Sequence, residues 1–341
     1  MKRCLQLAEL GAGQVQSNPL VGCVIVLEGK ILGEGYHHAF GQAHAEVEAI
    51  ARILDHNALK NSTLYVNLEP CSHHGKTPPC ANLIIKSGIS KVVICNTDPH
   101  EKVAGKGIRK LRDAGIEVEV GILEMEGRFL NRKFFTFHEK SRPYVTLKWA
   151  QTIDGFIGRS DEQNHLYKSI SNSLSNILVH QLRASHQAIL IGNVTANFDN
   201  PKLNVRHWFG SSPVRIILDK ENLLRSDLAL FTDGGKNLIF TKSAEKKGRP
   251  NTTFVFLNPN ETIINQVFRY CHQADLQSIL VEGGSKTLQH FIDEDAFDEV
   301  VKITSKQLWQ EGIVAPRLET KSNSKSYYLG SDCIEITRKY S

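Results

Sequence analysis

The chain has 341 residues, more than a typical single domain and enough for two. A hydrophobic fraction of 41% and a charged fraction of 23% are ordinary for a globular protein, and no apolar run approaches the roughly 20 residues that span a bilayer, so no membrane partner is expected. The net charge of +5, with an isoelectric point near 8.7, is mildly basic. Lysines and arginines bunch only at 102–112 and 242–249, so a concentrated nucleic-acid face is not expected, whereas a phosphorylated metabolite suits the balance.

The first residues, Met1-Lys2-Arg3-Cys4-Leu5, lack the apolar core of a signal peptide, and seven cysteines fit a reducing compartment; a cytoplasmic protein is expected. Residues 21–27 and 30–36 read as two strands joined by a hairpin turn at Glu28-Gly29. Ala43, Val47, Ile50, Ala51 and Leu54 recur at helical spacing, which sets His44 and Glu46 in a helix's first turn. Residues 63–68 form a strand with Cys71 in the loop beyond it. Cys80 begins the next helix, over 81–86, where the helix dipole favours a thiolate. Strands at 91–95 and 117–121 complete an α/β sandwich. Residues 131–142 are polar and charged and end in Arg142-Pro143; a linker is expected there, giving domains 1–140 and 141–341.

Beyond the linker the pattern restarts. Apolar runs at 144–147, 188–191, 214–218, 238–240, 254–257 and 279–281 read as strands. Leu174, Ile177, Leu178 and Leu182 trace one helical face, and Ile264, Val267, Phe268 and Cys271 another, so the second domain is again α/β. Glu282-Gly283-Gly284-Ser285 follows a strand and opens a helix. Such a turn suits a phosphate and equally a plain strand-to-helix connection.

The chemistry concentrates in His44-Ala45-Glu46, Pro70-Cys71 and Cys80. One imidazole and two thiolates make three zinc ligands, and a three-ligand site leaves the fourth position open for water, as catalytic zinc requires. Zinc lowers the pKa of that water towards neutrality, and Glu46 is free to shuttle protons. His73 and His74 are the near candidates for a fourth ligand in a closed, structural site. The His-x-Glu…Pro-Cys…Cys arrangement is the signature of zinc-dependent nucleobase deaminases.

Nucleic-acid deaminases space their cysteines as Cys-x-x-Cys, whereas eight residues separate Cys71 from Cys80. The stretch from Glu69-Pro70-Cys71-Ser72-His73-His74-Gly75-Lys76 to Pro79-Cys80 resembles the zinc motif of the bifunctional riboflavin-biosynthesis deaminase/reductase family. Ser17-Asn18-Pro19, Val21-Gly22-Cys23 and Asp98-Pro99 fall in register with it. So do Lys148-Trp149-Ala150-Gln151-Thr152-Ile153-Asp154-Gly155, Leu182-Arg183-Ala184, Gly192-Asn193-Val194-Thr195 and Asp199-Asn200-Pro201 in the second half. Ser169-Ile170-Ser171 departs from the family's usual Trp-Ile-Thr.

The resemblance implies a cytidine-deaminase-like α/β sandwich followed by a dihydrofolate-reductase-like α/β domain. It implies hydrolytic deamination of 2,5-diamino-6-(5-phosphoribosylamino)pyrimidin-4-one, then reduction of the ribosyl group to ribityl, with Zn2+ and NADPH as cofactors. His44, Cys71 and Cys80 would hold the metal, with Glu46 catalytic. Asn18, His37, His73 and Lys76 would grip the first substrate. Arg183, Leu203, Arg206 and Glu282 would hold the second. Ala150, Ser169, Thr195 and Asp199 would meet the cofactor, with Gly284, Ser285, Lys286, Thr287, Leu288, Gln289 and His290. Lys220, after Asp219 at a strand end, reads either as an exposed turn lysine or as a contact for the cofactor's extra phosphate. The family forms oligomers, so a homo-oligomer is compatible. Two rival readings stand beside this one: a nucleobase or nucleic-acid deaminase with a non-catalytic binding domain, and a zinc-stabilised scaffold.

Overall fold

The structure, a computed structural model, describes residues 1–72, 78–100, 104–158, 169–243, 248–319 and 324–339. By its internal contacts the chain divides into two units, Met1–Ser141 and Arg142–Ser341. Among the described residues no helix is long and apolar enough to cross a membrane.

In the first unit a helix, α1 (Lys2–Glu9), precedes the hairpin of β1 (Gly22–Leu27) and β2 (Lys30–Tyr36). The hairpin turns at Glu28 and Gly29, both with positive φ, as tight two-residue turns of this kind require. There follow α2 (Ala45–Ala51), β3 (Thr63–Leu68), α3 (Cys80–Ser87), β4 (Lys91–Asn96), α4 (Lys106–Asp113), β5 (Glu117–Val120), α5 (Glu124–Leu130) and α6 (Arg132–Lys140). One mixed sheet runs β2-β1-β3-β4-β5, antiparallel from β2 to β3 and parallel from β3 to β5.

Alternation along β1 sorts its side chains between two layers. Cys23 and Ile25 join a core with Ala49, Ile50, Ile84 and Leu111, while Val24 packs with Cys4 and Leu7 of α1. A Cβ on Gly35 would lie 2.4 Å from the Ala45 carbonyl oxygen, so the bare backbone lets α2 seat against β2. That close approach fixes the N-terminal end of α2, where the first site begins.

Two expectations for this unit need correction. The stretch 131–142 is no open linker: α6 occupies it and buries Phe134, Phe135 and Phe137, because the aromatics of a polar-looking segment fall together when it coils. Leu54 lies beyond the end of α2 and is 97% exposed; the helix stops at Ala51 and presents no further turn to the core.

The second unit opens with β6 (Tyr144–Gln151) and β7 (Phe156–Gly158), then α7 (Ser173–Ala184), β8 (Ala188–Gly192), α8 (Asn193–Asp199), β9 (Val214–Leu218), β10 (Asn237–Thr241) and β11 (Thr252–Phe256). After these come α9 (Ile263–Gln273), β12 (Ser278–Val281), α10 (Ser285–Asp293), β13 (Glu299–Thr304), β14 (Ile313–Val314), β15 (Ser324–Leu329) and β16 (Asp332–Arg338). Nine strands form one sheet, β11-β10-β9-β8-β12-β6-β13-β16-β15, parallel up to β13 and antiparallel beyond. Ala188 and Leu190 belong to one core and Ile189 and Ile191 to another, so both faces are covered, as a parallel sheet requires. The chain passes from β6 to β8 and later returns β12 between them. The carboxyl ends of these strands are therefore where an open α/β sheet offers a crevice.

Here too one helical face differs from expectation. Leu174 and Ile177 of α7 are exposed, while Ser175, Val179 and His180 are buried. Asp332 at the start of β16 decides the rotation: it accepts hydrogen bonds from the Ser175 hydroxyl (2.7 Å) and the Asn172 N–H (2.8 Å) at the N-terminus of α7. Strands β7, β13, β14, β15 and β16 were not among those expected, although β13 carries the apolar residues Val300, Val301 and Ile303, all buried.

Candidate active sites

His44 is the N-cap residue of α2 and Glu46 lies in its first turn; Cys71 sits beyond the end of β3, and Cys80 is the first residue of α3. These elements bring three ligand atoms together. His44 Nδ1 lies 3.2 Å from Cys80 Sγ and 3.7 Å from Cys71 Sγ, and all three atoms lie within 4.8 Å of one another. Zinc bonds of about 2.3 Å to sulfur and 2.0–2.1 Å to nitrogen give tetrahedral ligand separations of roughly 3.4–3.8 Å, so the donor set fits one zinc ion with a position left over. The Cys80 N–H also donates to Cys71 Sγ (3.3 Å). The neighbouring Cys80 thiol, and then His44, hold the Cys71 thiol far below its ordinary value, which favours the thiolate a metal needs.

Glu46 is 3% exposed, and burial pushes its carboxyl above the usual carboxylate range, against an opposing pull from His44. A carboxyl held upward in this way takes up a proton more readily than an exposed one, as a proton shuttle must.

Asn18 and His37 also meet here. His37 Nδ1 is 3.0 Å from the Ala43 carbonyl, which can only accept, so Nδ1 carries the hydrogen. Burial lowers the His37 pKa, so the ring is neutral and Nε2 is an acceptor. Asn18 Nδ2 donates to it at 3.0 Å, which leaves the Asn18 carbonyl oxygen facing away from His37. His73 and Lys76 lie outside the described residues.

In the second unit the expected residues gather around the carboxyl ends of β8, β9, β12 and β6. Glu282 and Arg183 form a bidentate ion pair, Nη2 to Oε2 at 2.7 Å and Nε to Oε1 at 3.1 Å; both are largely buried. Burial works to raise the Glu282 carboxyl, but Lys148 and Arg183 together hold it below its ordinary value. Arg183 is thus neutralised within the protein. Arg206, by contrast, is exposed; its side chain meets that of Asn204, and its backbone N–H donates to His180 Nδ1 (3.0 Å). Burial, with Arg183, Arg206 and His207 nearby, pushes His180 down to about 4. Burial likewise lowers Lys148.

Thr195 Oγ1 accepts from the Gly284 N–H at 2.8 Å and ties the turn after β12 to α8. A Cβ on Gly283 would lie 2.9 Å from the Gly192 nitrogen, so the two turns meet through bare backbone. Lys220 lines a cleft of about 320 Å³ with Lys242, His290 and the first turn of α9. Asp199 is exposed at the end of α8, Ala150 is partly buried on β6, and Lys286 is exposed.

Other expected contacts are occupied or turned inward. The Leu203 and Leu288 side chains are in the cores, so only their backbones can face a ligand. The Gln289 side chain bonds Asp293 and the backbone of Arg317, and the Ser169 hydroxyl donates to the Ser171 carbonyl. Lys148 and His180 are drawn into the cluster without having been singled out in the sequence. A lysine within the apolar run of β6, and a histidine one helical turn before Arg183, were the available signals.

Residues 1–96 match the cytidine and deoxycytidylate deaminase zinc-binding region, and residues 143–305 match the RibD C-terminal domain. The riboflavin biosynthesis protein RibD of Aquifex aeolicus is 38% identical across 100% of this chain and 98% of its own length. This chain belongs to the RibD family. The RibD of Bacillus amyloliquefaciens is 40% identical over 88% of this chain and 82% of its own. A Thermotoga maritima crystal structure, of a diaminohydroxyphosphoribosylaminopyrimidine deaminase/5-amino-6-(5-phosphoribosylamino)uracil reductase, superposes with a TM-score of 0.88. It is 36% identical and covers 99% of this chain and 97% of that one. An Acinetobacter baumannii RibD structure gives 0.87 at 29% identity, covering 98% and 96%. As a RibD protein the chain is an enzyme of riboflavin biosynthesis with deaminase and reductase activities. It combines a zinc-binding, cytidine-deaminase-like domain with a RibD reductase domain.

Proposed function

We propose that the first unit, around His44, Cys71 and Cys80, deaminates 2,5-diamino-6-(5-phosphoribosylamino)pyrimidin-4-one, and that the second reduces the ribosyl group of the product to ribityl. The observation that carries this reading is the three-ligand cluster with a buried carboxyl, Glu46, beside it. When bound, zinc supplies an activated water and NADPH supplies a hydride. Glu46 would take a proton from the attacking water and pass it to the ring nitrogen, then carry the proton of the added hydroxyl to the amino group, which leaves as ammonia. The Asn18 carbonyl oxygen accepts from an N–H of the aminopyrimidine.

In the second step Arg206 is the phosphate-binding cation, because Arg183 is already matched by Glu282. The Arg183–Glu282 pair offers its outer edges to the sugar hydroxyls. Reduction consumes a proton together with the hydride, and Lys148, its pKa lowered by burial against an opposing pull from Glu282, is the group suited to give it. Thr195 and the Gly284–Ser285 turn would meet the cofactor's pyrophosphate, and Lys220 its further phosphate. The substrate is a phosphorylated pyrimidine metabolite and the compartment the cytoplasm, and a homo-oligomer is compatible with this reading.

A coupled assay tests the whole reading. Given the diaminopyrimidine phosphate, zinc and NADPH, the enzyme should release ammonia and then oxidise NADPH. Ammonia from cytidine or transfer RNA, with none from the pyrimidine phosphate, would return the nucleic-acid reading.

A further inference from the structure

Glu69 lies two residues before Cys71, and its side chain is 4% exposed. Its Oε1 accepts from the N–H groups of Gly107 (2.9 Å) and Ile108 (3.1 Å), and its Oε2 from those of Gly105 (2.9 Å) and Asp98 (3.2 Å). An ionised carboxylate has about four lone-pair sites, and four backbone donors fill them. The donors come from the loop after β4 and from the first turn of α4, where a negative charge also meets the positive end of the helix dipole.

The chain between Glu69 and Cys71 is held as well. The Glu69 N–H donates to the Asn96 carbonyl (2.9 Å). The Pro70 carbonyl oxygen packs so closely on Gly107 that a Cβ there would lie 2.0 Å from it. Proline fixes its own φ, which passes the restraint on to Cys71. Cys71 therefore leaves a segment clamped from the side chain, the backbone and the packing face at once.

We propose that Glu69 is a positioning residue for the metal: by gripping the α4 N-terminus it holds the Cys71 thiolate at the site and thereby governs how long zinc stays bound. This rests on reading His44, Cys71 and Cys80 as the zinc site. A glutamine at 69 would turn an NH2 group towards two of the four N–H donors, so it cannot reproduce the clamp.

The test is zinc release from the full-length holoprotein into excess chelator, measured beside thermal unfolding of the metal-free protein. Glu69→Gln should release zinc at least about tenfold faster than the parent, within the range seen when the supports of metal ligands are removed. An unchanged release rate, even with a lowered unfolding temperature, would reduce Glu69 to a brace of the fold and overturn the proposal. Should Glu69→Gln fail to fold, Glu69→Asp keeps the charge but shortens the reach; it should release zinc faster than the parent, and a parental rate overturns the proposal. A parent that binds no zinc, or a Cys80→Ser variant that binds as much, would instead sink the site on which the proposal stands.

Discussion

Asn18 and His37 share a 3.0 Å hydrogen bond whose direction is set from the far side of the imidazole ring, where Nδ1 faces the Ala43 carbonyl. On the proposed reading the buried histidine acts through the asparagine, orienting an amide whose carbonyl oxygen is left for the substrate. His37 should be found as the Nδ1–H tautomer by 15N NMR of histidine-labelled protein. His37→Phe should keep its zinc and raise KM for the pyrimidine phosphate by up to about tenfold, the worth of one hydrogen bond of about 1 kcal/mol with some loss of orientation. A bare Nδ1, or an unchanged KM, would mean that the ring does not direct Asn18.

On the proposed reading Glu46 serves the chemistry of the first site and Cys80 the metal. Glu46→Gln keeps the shape but removes the base, so it should retain zinc and lose at least roughly two orders of magnitude in deamination rate. Cys80→Ser should lose both zinc and deamination, since a hydroxyl is a poorer ligand than a thiolate. Metal content by emission spectroscopy and ammonia release separate the two. A Glu46→Gln rate within a few fold of the parent would move the proton shuttle elsewhere.

The metal cluster was legible in the sequence because each ligand sits at the end of an element whose pattern is strong: the N-terminus of α2, the exit from β3, the first residue of α3. What the sequence hid depends on pairing across distance. Nothing local announces that Arg183 finds Glu282 ninety-nine positions away, or that Glu69 collects four amides 29 to 39 positions on, from the loop after β4 and the first turn of α4. The rotation of α7 was misread for the same reason, since Asp332 in the last strand turns it. Helix α6 was hidden differently: its charged residues outweighed three phenylalanines that bury together only once the segment is coiled.

Arg183 and Arg206 look alike in sequence but should behave differently when removed. Arg183→Ala takes away the bidentate partner of buried Glu282 and leaves Lys148 as its nearby cation, so the loss of stability should fall towards the lower end of the about 3–5 kcal/mol that breaking a buried pair costs. Arg206→Ala removes an exposed cation, so stability should change by under roughly 0.5 kcal/mol. The same change should weaken the reductase substrate roughly ten- to a hundredfold through the lost charge-assisted phosphate contact. Chemical denaturation, and NADPH oxidation with the deaminated intermediate, read the two effects. Equal destabilisation by both variants would contradict the pairing, and deamination by Arg206→Ala should match the parent.

His180 predicts a pH dependence of stability in the second unit. Its ring is held at about 4 in the fold, against an ordinary 6.5, by burial and by Arg183, Arg206 and His207. Above pH 6.5 neither the folded nor the unfolded chain protonates it, and the contribution of the neutral ring, whose Nδ1 accepts the Arg206 N–H, is fully present. As pH falls below 6.5 the unfolded chain gains a proton that the fold refuses until about 4, so stability is lost across that window. His180→Asn offers an acceptor to the same N–H but does not titrate. The parent's advantage over this variant in urea unfolding should therefore shrink between pH 7.5 and pH 5. An advantage that stays constant would mean that His180 titrates in the fold as it does in the unfolded chain.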